Sequence, residues 1–197
     1  MRMFEGFSGS GRLAETFRKG GWDADTVDIK DGQDILAWEP KEHYDYAHFA
    51  PPCGDYSGLK YDYASIWKAD RTLWLRSFEL VQKMRVPMFT IEGVKMTQWL
   101  WGKAPYHYGP FFLWGWFPFD LMPKVPWTVS FKGTHFDRAT GLRWNEDKTS
   151  LQRAVYPQSF CDALFQAANL SPRLKSEIIV KAIEPKESPQ DRGVLWP

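Results

Sequence analysis

Over its first 93 residues the chain alternates short apolar runs with amphipathic ones, and that alternation limits the folds open to it more than anything else. "RMFEG" (2–6) reads as a short buried strand and is followed by the Gly/Ser turn "FSGSG". "GRLAETFRK" (11–19) puts Leu13, Ala14 and Phe17 on one helical face, with Gly20-Gly21 to stop it. "ADTVDI" (24–29) and "YDYAHFA" (44–50) read as a second and a third strand. "ADRTLWLRSFELVQKM" (69–84) repeats Leu73, Ser77, Leu80, Val81 and Met84 at helical spacing, and "VPMFTIEG" (86–93) is a further strand that ends in an acid. Strands separated by crossover helices specify an α/β fold, a mostly parallel sheet flanked by helices.

The pattern changes after residue 93. Residues 94–150 hold aromatic strands ("FFLWGWF", "WTVSF") between Pro and Gly turns, and eight of the 11 Trp lie between Trp67 and Trp144. A last helix is expected over 158–169, opened by Pro157. From Glu184 onward the chain reads as a loosely ordered tail. With 197 residues, the expectation is one domain over 1–183 and the tail over 184–197.

Charge and cysteine content exclude several classes. A net charge of +1 gives no overall basic footprint for tight, non-specific nucleic-acid binding. Locally, residues 124–153 carry six Lys/Arg against three acids. That window reads as a solvated loop face or as a contact for phosphates. Two cysteines, Cys53 and Cys161, make no disulfide framework, and no metal-type spacing occurs. "FFLWGWFPFDLM" is too short and too broken by Gly and Pro to span a bilayer, and "MRMFEGFSGSG" is no signal peptide. A cytoplasmic protein is expected.

The first turn carries chemistry. Gly9 and Gly11 permit backbone conformations and a close approach that side chains would block, ahead of a helix with free N–H groups. Gly9-x-Gly11-x-x-Ala14 satisfies the G-x-G-x-x-A fingerprint, and Asp28 lies 17 residues after Gly11, where an acid would bind ribose hydroxyls. The turn specifies a nucleoside-containing cofactor, either a nicotinamide dinucleotide or S-adenosylmethionine. Glu5 would oppose a pyrophosphate and suit the ammonium of a methionine moiety.

With Glu5, Phe7-Ser8-Gly9-Ser10-Gly11, Asp28, Pro51-Pro52-Cys53 and Ile91-Glu92 in this order, the chain resembles the DNA (cytosine-5) methyltransferases, most of all their short phage-borne members. The likeness covers residues 2–93. The resemblance implies a Rossmann-like methyltransferase fold with S-adenosyl-L-methionine as cofactor and a flipped or unpaired cytosine in DNA as substrate. Phe7, Gly9, Gly11 and Pro51 would line the cofactor. Asp28 would hold its ribose, with Ile29 against the adenine and Asp34 at the adenine amino group. Cys53 would be the nucleophile and Glu92 its acidic partner. Pro52, Tyr56 and Arg138 or Arg143 would meet the substrate.

The chemistry needs these residue types. Carbon 5 of cytosine is a poor nucleophile until a thiolate adds to carbon 6, and covalent catalysis then splits one hard step into easier ones. A free thiol has a pKa of about 8.5, so little is thiolate at neutral pH. The two prolines stiffen the approach to Cys53. A carboxyl raised by burial at a strand end can protonate ring nitrogen 3. A paired cytosine must leave the stack to reach such a pocket. Tyr56 and Tyr61 are placed to close over a base, and Trp99, Trp101, Trp114 and Trp116 are candidates for stacking on it. Cys161, beside Phe160 and Leu164, reads as core.

The sequence departs from the family in three places. Gly93 stands where an Asn normally follows the glutamate and ties down the cysteine loop. "YHYGPFFLWG" lacks the family's Gln-x-Arg-x-Arg strand, so Arg138 or Arg143 would have to support the base. Gln158-Ser159 replaces the usual Asn near the final helix. Only residues 94–150 are available as a target-facing region, which points to a very short site, a protein partner for target recognition, or a substrate other than duplex DNA. RNA, a free pyrimidine nucleotide, and a catalytically degenerate binding module stay open as alternatives.

Overall fold

The computed structural model describes residues 1–53, 56, 69–125, 135–136, 143–144 and 156–183, with only the backbone path for 135–136, 143–144 and 171–183. β1 (Arg2–Gly6) leads into α1 (Arg12–Lys19), β2 (Asp23–Val27), β3 (Tyr46–Phe49), α2 (Thr72–Met84) and β4 (Met88–Gly93). A short α3 (Gln98–Trp101) precedes the hairpin β5 (Tyr106–Tyr108) and β6 (Phe111–Trp116). A two-stranded ribbon, β7 (His135–Phe136) and β8 (Arg143–Trp144), and the long α4 (Gln158–Ile183) complete the order.

Six strands form one sheet in the order β2-β1-β3-β4-β6-β5. The first four are parallel, and β6 and β5 close the sheet antiparallel. The α/β expectation therefore holds, with a mixed far edge. α1 lays Leu13, Ala14 and Phe17 on one face, and α4 joins it there. Arg12 Nη1 donates to the Tyr156 carbonyl at 2.7 Å, and Gln158 Nε2 donates to Thr16 Oγ1 at 2.9 Å, which fixes where α4 begins. α2 covers the other face, packing Trp74, Leu80 and Met84 against Phe4, Phe49 and Ile91.

Three expectations about boundaries need correction. The second strand ends at Val27, because the Asp28 carboxylate turns aside to accept from Lys30 N–H and start a single 3-10 turn over Ile29–Asp31. α2 begins at Thr72 rather than at residue 69, since Asp70 Oδ1 accepts from both Thr72 N–H (2.8 Å) and Thr72 Oγ1–H (2.7 Å). α4 continues to Ile183, past the expected end at 169. Pro172 therefore lies within the helix rather than ending it. "WTVSF" and the tail 184–197 lie outside the described residues.

Candidate active site

β1 has β2 on one side and β3 on the other, so the strand order reverses between β1 and β3. In open α/β sheets the crevice at the carboxyl ends of two such strands is where ligands bind. The glycine turn follows β1 and Pro51-Pro52-Cys53 follows β3, so both sequence motifs open onto that crevice.

The turn is built from its backbone. Phe7 N–H donates to the Val27 carbonyl at 2.8 Å, and Phe7 itself is held at φ 61°, an uncommon conformation for a bulky residue. Gly9 (φ 51°) and Gly11 (φ 68°) take left-handed conformations, and Gly11 caps α1. A β-carbon at Gly11 would meet nothing within 4 Å, so the turn faces open space. Asp28 binds the turn from β2: its Oδ2 accepts from Gly9 N–H at 2.7 Å and its Oδ1 from Lys30 N–H at 2.9 Å. Ile29, beside it, is 74% exposed, a large apolar side chain with nothing over it. Asp34 is exposed and opens the next turn, its Oδ1 accepting from Leu36 N–H at 2.9 Å. The loop after Asp34 is held by Arg76 of α2, which donates to the Ile35 and Trp38 carbonyls and pairs with Glu39.

Glu5 sits beneath the turn and is 1% exposed. Its Oε2 accepts from Ala14 N–H at 2.9 Å, in the first turn of α1. Burial pushes its carboxyl up to about 7, against the pull of that N–H. Glu5 thus braces the first turn of α1 from below.

Pro51 is buried, Pro52 exposed and Cys53 half-buried. Glu92 is the penultimate residue of β4, one residue beyond Ile91, the partner of Phe49 across the β3–β4 pair. Burial first, then the Glu92 charge, push the Cys53 thiol up to about 11. Glu92 is buried, and desolvation raises it to about 7, partly offset by the Tyr156 hydroxyl. Cys161 is fully buried among Leu13, Phe160 and Leu164 and is raised to about 12 by burial.

Other expected residues fall differently. Tyr56 does not stand over the crevice: it is 2% exposed, its ring meets the edge of Trp74, and its hydroxyl donates to the Asp70 carbonyl. Its N–H donates to the Cys53 carbonyl at 3.0 Å, so Tyr56 fastens the cysteine loop to α2. Trp114 is buried with its Nε1 on the Gly102 carbonyl, and Trp101 stacks on Trp74. Trp99 and Trp116 are 55% and 73% exposed. Arg143 opens β8, of which only the backbone is described; Arg138 and Tyr61 lie outside the described residues. No cluster of His, Cys, Asp and Glu among the described residues could hold a metal ion, and no helix there is long and apolar enough to cross a membrane.

Sequence reasoning missed a buried polar row behind the site. Glu5, His48 and Thr90 are register partners across β1, β3 and β4. His48 is fully buried, with Nδ1 2.7 Å from Thr90 Oγ1 and Nε2 3.0 Å from Tyr156 Oη. Tyr46 Oη lies 2.6 Å from Thr90 Oγ1, and Tyr156 Oη donates to Glu92 Oε2 at 3.4 Å. The one available signal was a histidine in an otherwise apolar strand, "YAHFA", which must find buried partners.

No family model and no curated protein matches the chain. Some solved structures are similar in part. A prophage-encoded E. coli protein described as a DNA modification methyltransferase shares 18% identity at a TM-score of 0.38, over 49% of this chain and 33% of its own. A variant of Spodoptera frugiperda DNMT2 shares 21% at a TM-score of 0.33, over 48% and 35%. The Entamoeba histolytica methyltransferase EhMeth shares 12% at a TM-score of 0.41, over 68% and 58%. The chain thus spans less than two thirds of the length of each.

Proposed function

We propose that the chain is an S-adenosylmethionine-dependent DNA (cytosine-5) methyltransferase acting through a covalent adduct on Cys53. The observation that carries this reading is a half-buried thiol past the end of β3 together with a buried acid near the end of the neighbouring parallel strand β4, beside a glycine turn at the reversal of strand order.

The residues at the turn suit the cofactor. Open space above Gly11, an acid at Asp28 and an exposed Ile29 match a ligand with a ribose and an adenine. Phe7, Gly9, Gly11 and Pro51 would line it, Asp28 would hold the ribose, Ile29 would lie against the adenine and Asp34 would meet its amino group. Glu5 would support the turn through Ala14. S-adenosylmethionine, when bound, supplies the electrophilic methyl group that carbon 5 takes.

Cys53 gives up its thiol proton to solvent, the thiolate sulfur forms a bond to carbon 6, and the displaced electron pair is delocalised onto nitrogen 3, which takes the Glu92 proton. After carbon 5 is methylated it loses its proton to a base. The C5–C6 double bond then re-forms, the sulfur leaves with the S–C electron pair, and nitrogen 3 returns its proton to Glu92. Protonated Glu92 serves twice, because its neutral form also removes the charge that opposes ionisation of Cys53. General acid help of this kind is typically worth about 10²–10⁴-fold.

Residues 94–150 would face the target, with exposed Trp116 a candidate for stacking, Pro52 at the crevice rim, and Arg138 or Arg143 near the base. A protein partner would supply further target recognition. Transfer of tritiated methyl groups, compared on duplex DNA, single-stranded DNA, RNA and dCMP, tests the proposal. Incorporation at carbon 5 of DNA cytosine is expected; incorporation only into RNA or dCMP, or none, would overturn it.

A further inference from the structure

The buried row behind Glu92 has a direction. Tyr156 Oη is the sole hydrogen-bond partner of the Glu92 side chain among the described residues and donates to Oε2; an ionised Glu92 can only accept, and a protonated one keeps its own O–H on the other oxygen. Tyr156 must therefore spend its one proton on Glu92 and accept from His48 Nε2, 3.0 Å away. His48 is neutral in this setting, since full burial with no carboxylate bonded to it lowers its pKa to about 3. A neutral imidazole carries one N–H, so the proton sits on Nε2 and Nδ1 accepts from Thr90 Oγ1. Thr90 in turn accepts from Tyr46 Oη, 2.6 Å away. With Tyr156 donating to Glu92, every link in the series Tyr46–Thr90–His48–Tyr156–Glu92 pairs one donor with one acceptor.

We infer that His48 and Tyr156 are positioning residues for the acid: a neutral, one-way hydrogen-bond chain that occupies Glu92 Oε2, turns the other carboxyl oxygen to the pyrimidine, and sets the acid's strength. The inference rests on the methyltransferase reading for what the free oxygen meets, and on the structure alone for the chain itself. At 3.4 Å the last link is long for an O–H···O bond, as links in substrate-free sites commonly are. The charged and titratable groups around the chain are Glu5 from β1, Tyr46 from β3, Glu92 from β4, and Cys161 from α4, all acidic. Arg12 of α1 donates to the Tyr156 carbonyl. Ionised acids would favour an imidazolium, but none of these carboxyls is bonded to His48, and burial alone sets it neutral.

Two measurements on the substrate-free protein test this. In ¹⁵N spectra of the wild-type histidines, His48 should keep the Nε2–H tautomer from pH 5 to 8; an Nδ1–H tautomer or an imidazolium would overturn the inference. In the carboxyl region of infrared or ¹³C spectra, Glu92 should titrate higher in Tyr156→Phe than in wild type, by about half a pH unit to one. The Phe variant keeps the ring contacts with His48, Phe111 and Phe160, so the fold should survive. An unmoved Glu92 would overturn the inference even if wild-type protein methylates DNA. A shifted Glu92 in a protein that modifies no cytosine would leave the chain standing and sink the methyltransferase reading instead.

Discussion

The Trp74 indole fills the space that a side chain at residue 93 would need. A β-carbon on Gly93 would stand 2.8 Å from Trp74 Cζ2 and 3.0 Å from Thr97 Oγ1. Trp74 is 1% exposed, stacked on Trp101 and met edge-on by Tyr56 and Trp114, so it cannot move aside. An asparagine at residue 93 is thus excluded sterically, and Tyr56 secures the cysteine loop against α2. Gly93→Ala should destabilise the fold by about 1–3 kcal/mol, the usual cost of overpacking, and Gly93→Asn by more. Urea melts should also show that Trp74→Leu, itself destabilising, recovers part of the Gly93→Ala loss in the double variant. Strict additivity would contradict the account.

Folded stability should peak on the acid side of neutrality. Glu5 and Glu92 are each raised from 4.5 to about 7, so the fold keeps two protons that the unfolded chain loses between those values. His48 works against them, since it is lowered from 6.5 to about 3 and denies the fold a proton that the unfolded chain takes up. The carboxyls prevail from about pH 4.5 to 6.5, where stability falls as pH rises by about 1.4 kcal/mol per unit, and faster still up to 7. Below 4.5 His48 reverses the trend, joined by Glu15, Glu39 and Glu79, whose lowered pKa values reflect Lys or Arg partners. Calorimetry should find Tm higher at pH 5 than at pH 7.5, and Glu5→Gln should flatten the decline. A Tm that climbs steadily from pH 5 to 7.5 would contradict these assignments.

Asp28 ties the end of β2 to the glycine turn through Gly9 N–H and caps its own 3-10 turn through Lys30 N–H. Asp28→Ala should cost about 0.5–2 kcal/mol, as losses of comparable caps do, and should weaken binding of S-adenosylhomocysteine roughly tenfold or more. Asp28→Asn, which can still accept, should recover most of the stability and less of the binding. Titration calorimetry separates the two effects.

Glu92→Gln should lower kcat by about 10²–10⁴-fold while leaving KM for DNA within a few-fold, because the amide cannot protonate nitrogen 3. Equal losses in KM and none in kcat would assign Glu92 to binding.

Local patterns carried much of this into the sequence. Leu13, Ala14 and Phe17 announce the buried face of α1, and the Gly20-Gly21 stop falls where α1 ends. Pro51-Pro52-Cys53 and Glu92 can be read because each sits at the end of a strand whose apolar run is unmistakable. Tyr56 was misread because a tyrosine in a loop after a nucleophile looks free; only the distant Asp70 carbonyl and Trp74 ring turn it inward. The His48–Tyr156 contact joins residues 108 positions apart with no motif between them. Trp74 was overlooked on α2 for a similar reason: the period picks out Leu73 and Ser77, while the need for an indole beside Gly93 is set by a different strand.

The most direct measurement is trapping with duplex DNA carrying 5-fluorocytosine, in the presence of S-adenosylmethionine. Fluorine at carbon 5 cannot leave as a proton does, so the enzyme should stay bonded to the base, with the attachment on Cys53 by peptide mass mapping. The adduct should persist in Cys161→Ser and vanish in Cys53→Ser. A wild-type protein that binds the cofactor yet forms no covalent complex, or one joined through any other residue, would contradict the account.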